Sequence, residues 1–78
     1  MPKKKPGNLT GLDWLYYRLE ILGYTSLSEF AAVVGINKGN LYRYFALESK
    51  PSIALLPVLC ASLSVDVTEL LRALGVVL

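Results

Sequence analysis

The sequence predicts an all-α fold, a compact bundle of five short helices. Three observations carry that prediction. Apolar residues recur at three- and four-residue intervals in five successive segments. Glycines or capping residues stand at the ends of those segments. No segment keeps the period-two alternation of a half-buried strand, since β-branched residues such as Val33, Val34 and Ile36 fall inside helical spacing. With 78 residues, 54% of them apolar, the chain has material for one core. A chain this short buries only roughly 60–65% of its unfolded surface, so apolar residues beyond the core's needs point to a surface for a partner.

Residues 1–9 carry Pro2, Pro6, Gly7 and the run Lys3, Lys4 and Lys5; they read as a flexible basic arm. The folded domain is expected over 10–78. Thr10, with Asp13 three residues on, opens a first helix whose stripe is Leu12, Leu15, Tyr16, Leu19 and Leu22 and whose stop is Gly23. Trp14 is placed at its edge. Ser26 and Glu29 form a capping box at the start of the second helix, Phe30, Ala31 and Val34 make its inner face, and Gly35 ends it. Asn37 caps a third helix that buries Leu41, Tyr44 and Phe45 and shows Lys38, Asn40, Tyr42 and Arg43 outward. A connection over 46–52 leads to a fourth helix, about 53–63, with Ile53, Leu56, Leu59, Cys60 and Leu63 inward. Proline deep in a helix costs about 3 kcal/mol, so Pro57 moves the regular start to Leu55 or Leu56. Asp66 and Glu69 open a fifth helix over 67–74, ended by Gly75.

Composition narrows the function. One cysteine, Cys60, allows no internal disulfide, and with no histidine the usual zinc site and the Ser-His-Asp and Cys-His nucleophiles are excluded. Cys60 reads as a small buried hydrophobe. Of the six carboxylates, Asp13, Glu20, Glu29, Glu48, Asp66 and Glu69, two read as helix caps, which argues against a carboxylate-pair enzyme. Neither catalysis, nor a cofactor, nor a metal is expected. The longest apolar run, Ile53 to Ala61, is about half the ~20 residues of a membrane span and contains Pro57, so a cytoplasmic protein is expected. Net charge is only +2, but its placement is uneven: Lys38, Arg43 and Lys50 occupy the middle third with only Glu48 among them.

The informative segment is 27–46. Ala31 is small where two helices must cross closely, Gly35 sits in the turn, and Leu41 and Tyr44 anchor the second helix. Two helices joined by a short glycine-bearing turn can present one helix face to a DNA major groove. Here the chain resembles the Cro/C1-type (XRE-like) helix-turn-helix proteins of phage repressors and bacterial regulators. Where the family reads Ser/Thr-Gln-x-x-Leu-Ala-x-x-x-Gly-Val/Ile-Ser, this chain has Ser26-Leu27-Ser28-Glu29-Phe30-Ala31-Ala32-Val33-Val34-Gly35-Ile36-Asn37. Lys50-Pro51-Ser52, Ser62-Leu63-Ser64-Val65 and Leu70-Leu71 follow in register. The resemblance covers 12–74 and implies a lambda-repressor-like bundle with its third helix reading bases. It puts Lys38, Gly39, Asn40 and Arg43 at the groove with Tyr42 alongside. Lys50 and the start of the second helix, Ser26 and Leu27, fall at phosphates, and Lys3 to Lys5 resemble the lysine arms that some lambda-like repressors wrap around the duplex. Arg or Lys can fork onto guanine O6 and N7, and Asn can pair with adenine. Leu27 stands where the family often has glutamine, Gly39 takes a side chain off the reading face, and Phe45-Ala46-Leu47-Glu48 replaces a polar turn.

The expected function is a sequence-specific double-stranded DNA-binding regulator, a repressor acting as a homodimer, with no small-molecule ligand. Leu55, Val58 and Val67 lie off the inward spacing, and with Val76, Val77 and Leu78 they form the expected dimer surface. The competing class is a protein-interaction module, adaptor or antitoxin-like, that uses the same fold without specific DNA binding.

Overall fold

The computed structural model describes residues 9–76, and every regular element among them is helical. The order is α1 (Gly11–Leu22), α2 (Leu27–Val34), α3 (Lys38–Phe45), α4 (Leu55–Leu63) and α5 (Val67–Ala73). All five predicted helices are present. None of them is long and apolar enough to cross a membrane. Helices of seven to twelve residues are marginal alone, so tertiary packing holds them. α1 is the centre of that packing, in contact with each of the other four.

The inner face of α1 is turned away from the predicted stripe. Trp14 is 3% exposed and Tyr16 47%, the reverse of the expectation, because the face runs through Gly11, Trp14, Leu15 and Leu19. Arg18 hides this from a hydrophobicity count. It lies beside that face, and its guanidinium donates to the Leu63 carbonyl through Nε (3.2 Å) and Nη2 (2.7 Å), with a longer contact to Ser64 O. A charged side chain thus satisfies carbonyls left open at the C-terminus of α4 and ties that helix to α1.

The start of α1 is fixed against the end of α3. Trp14 stacks on Phe45 with centroids 6.0 Å apart, and its Nε1 donates to Glu69 Oε2 on α5 at 3.3 Å. Gly11 has φ +59°, and a Cβ there would lie 2.8 Å from the Phe45 carbonyl oxygen. That close approach requires glycine on two counts, backbone conformation and space. Thr10 occupies the N-cap position without a side-chain hydrogen bond. The core begins one residue before the expected boundary: Leu9, assigned to the arm, is 4% exposed and packs with Trp14 and Leu15 in the same cluster. It is the one large apolar side chain of that segment besides Met1, which is why it joins the core. Lys3, Lys4 and Lys5 lie outside the described residues, as do Val77 and Leu78.

The remaining caps follow the sequence closely. Glu29 N donates to Ser26 Oγ at 3.0 Å, and the Glu29 carboxylate reaches one residue further back than a standard box, accepting from Thr25 N at 2.8 Å. Asp66 Oδ1 accepts from Glu69 N at 2.8 Å. α4 begins at Leu55, so Pro57 falls in the first turn, where its missing amide forfeits no intrahelical bond. Ile53 precedes the helix in a turn and is 84% exposed, not inward as the spacing suggested; once the helix starts later, Ile53 no longer belongs to its stripe. Cys60 is half-buried, and burial, with a smaller contribution from the Asp66 carboxylate, raises its pKa above the ordinary thiol value.

Two outcomes follow. Gly11→Ala should destabilise by about 2–4 kcal/mol, from left-handed strain plus the backbone clash. Gly35→Ala, where φ is +76° but no atom lies within 4 Å of the added Cβ, should cost only about 1–2 kcal/mol; urea titrations of both variants check the order. The fold favours the neutral Cys60 thiol, so at pH near 8 its thiolate fraction is below that of the unfolded chain. Alkylation of Cys60 should therefore be slower in the native protein than in urea, and equal rates would contradict the assigned environment.

Candidate nucleic-acid interface

α3 is eight residues long and divides cleanly. Leu41 and Phe45 point into the core, and Tyr44 is half-buried behind them. Lys38, Gly39, Asn40, Tyr42 and Arg43 are all exposed, so the five third-helix residues picked from sequence share the solvent side. Asn37 sets the start of the helix, its Oδ1 accepting from Asn40 N at 3.1 Å. One hydrogen bond joins two members of the exposed set: Arg43 Nη1 donates to Asn40 Oδ1 at 3.3 Å.

α2 is held behind α3 through the three-residue connection Gly35, Ile36 and Asn37. Gly35 adopts the left-handed conformation that closes α2, its amide donating to Ala31 O at 2.9 Å, and Ile36 N bonds the same carbonyl. Ala31 is buried, as its small size at a helix crossing suggested.

Not every predicted contact residue joins this face. Ser26 is exposed, its hydroxyl oxygen engaged in the α2 cap. Leu27 is a correction: it is 5% exposed and belongs to the core, so its side chain has no surface to offer a phosphate. An apolar residue at the first turn of a short helix is more stable packed than hydrated, and Leu27 joins the same core cluster as Leu19, Phe30 and Leu41, at the floor of the groove that runs beside α3. Lys50 is exposed, but its ammonium donates to the Leu74 carbonyl at 3.1 Å, so its charge serves the C-terminus of α5. Of the expected dimer residues, Val58 and Val67 are exposed while Leu55 and Val76 are half-buried.

An open groove of about 790 Å³ runs beside α3, between α1 and the start of α2. Tyr16, Glu20, Tyr24, Ser26, Ser28, Lys38 and Tyr42 line it. Tyr24 was not singled out from sequence, and Tyr16 was assigned to the inner stripe of α1. For Tyr16 the signal was its angular position on α1, opposite Trp14 and Arg18, which a count of apolar intervals does not resolve. Tyr24 stands edge-on to Phe30, centroids 5.2 Å apart, which fixes the wall of the groove.

No family model, curated protein or solved structure matches this chain.

Two properties of the face matter chemically. Its cations, Lys38 and Arg43, sit on one short helix together with an amide side chain and a phenol, all of them able to donate hydrogen bonds. Its shape is a convex helix beside a groove of mixed polar and apolar lining. Leu27→Ala should cost about 2–5 kcal/mol of stability, the price of a cavity at a buried leucine. A denaturation midpoint unchanged from the parent would return Leu27 to the surface.

Proposed function

We propose that this protein is a sequence-specific double-stranded DNA-binding regulator, a repressor that occupies its site as a dimer. α2 and α3 form the helix-turn-helix of a lambda-repressor-like bundle, and the start of α3 enters the major groove. The observation that carries the reading is the division of α3: its apolar side is locked into the core while Lys38, Asn40, Tyr42 and Arg43 stand together on the other. These side chains match the hydrogen-bonding edges of bases and the charge of the backbone. The motif resemblance over 26–37 supports the same assignment.

The size of the domain supports the dimer. The domain is 30 Å in its longest dimensions, and successive major-groove faces on one side of a duplex lie ~34 Å apart. One copy therefore presents one reading helix, and a two-fold site needs two copies. The exposed apolar residues Val58 and Val67, with the neighbouring Leu55, are the surface assigned to that pairing.

A second reading, a protein-interaction module, draws on a different observation. Val33 and Ile53 are strongly exposed, and the groove beside α3 is walled by tyrosines, a residue type enriched where proteins meet.

Selection of bound sequences from a random duplex library at ~150 mM salt separates the two. A palindromic site with half-sites about one helical turn apart is the expected result. Recovery of nothing above background, from protein shown to be folded, overturns the DNA reading in favour of a protein partner. Arg43→Ala should weaken binding to the selected site by about 1–3 kcal/mol while leaving non-specific binding nearly unchanged.

A further inference from the structure

An exposed asparagine on a reading helix is by default an adenine contact, because its carbonyl accepts from N6 while its amide donates to N7. Asn40 is differently committed. Its Oδ1 already accepts from Arg43 Nη1, at the i, i+3 spacing that places the two side chains over one another. Its backbone is fixed by the Asn37 cap on its own amide, and Gly39 beside it carries no side chain that could compete for either group.

With one lone pair of Oδ1 taken by Arg43, the pair turns mainly donors outward: the Nδ2 hydrogens of Asn40 and the remaining N–H groups of Arg43, against a single remaining acceptor position on Oδ1. Adenine offers one acceptor and one donor in the major groove and matches such a donor-rich surface less well. Guanine offers two acceptors, O6 and N7, and matches it well. We infer that Asn40 is a positioning residue for Arg43, and that the two together read a guanine where Asn40 alone would have read an adenine. This rests on the DNA-binding reading above and adds to it one base of the site and the residue that orients its contact. The energetic reason is pre-organisation: a long arginine held in its working rotamer before binding loses less side-chain freedom when the duplex arrives.

The experiment is selection from a random duplex library with the full chain and with Asn40→Ala, Asn40→Asp and Arg43→Ala, each first shown to be helical with the parent's denaturation midpoint. The expected result is a guanine in each half-site whose preference falls by about 5- to 150-fold in Arg43→Ala. The same position should lose about tenfold in Asn40→Ala, and Asn40→Asp should restore it, because aspartate keeps an acceptor for Arg43. Preference at a single base is the readout, so a general loss of affinity from the added negative charge does not confuse it. Replacing that guanine by 7-deazaguanine should weaken the parent protein but not Arg43→Ala. An adenine position relaxed by Asn40→Ala, with the guanine untouched, overturns the inference and leaves the DNA reading standing. A parent protein that recovers no duplex overturns both.

Discussion

The fold depends on the seat that the start of α1 provides for the end of α3. An eight-residue helix has too few internal hydrogen bonds to persist in water, so its direction is set by what grips it. The grip is Phe45, fully buried, stacked on Trp14 and with its carbonyl against Gly11. Trp14 in turn bonds Glu69, which brings α5 to the same point. The aim of the polar side of α3 is therefore decided at its opposite end, chiefly by the buried Phe45, Trp14 and Gly11.

The cations divide the same way between architecture and surface. Arg18 and Lys50, from different parts of the chain, each donate to carbonyls at a helix C-terminus, of α4 and α5 respectively. Such bonds satisfy backbone groups that a short helix leaves open, and they hold helices that would otherwise rest on apolar packing alone. Lys38 and Arg43 have no such backbone duty among the hydrogen bonds of the described residues. A net charge of +2 hides this allocation, because it counts structural and exposed cations alike.

Much of this was legible in the sequence, for local reasons. Caps are short-range chemistry, so Ser26 with Glu29, Asn37 and Asp66 with Glu69 could be read off directly, as could the left-handed glycines 23 and 35. The exposed set on α3 was legible because a helix that buries Leu41 and Phe45 has only one other side. What was hidden depended on partners distant in sequence. The face of α1 was misjudged because Arg18 reads as a surface charge until the α4 carbonyls, 45 residues away, are in place. Leu27, Ile53 and Leu9 were misassigned at element ends, where one residue's difference in start or boundary moves a side chain between core and solvent. The bond between Asn40 and Arg43 is local, yet spacing alone permits it without requiring it.

The burial of Leu9 sets an upper bound on how far the chain before it can reach. An extended chain gains at most ~3.3–3.6 Å per residue, so Lys5 lies within about 14 Å of Leu9 and Lys3 within about 22 Å. The pin sits two residues from Gly11, hence beside the C-terminal end of α3. What each lysine can touch is bounded by that span plus the length of its own side chain. Each residue inserted before Leu9 would lengthen that bound by at most ~3.3–3.6 Å.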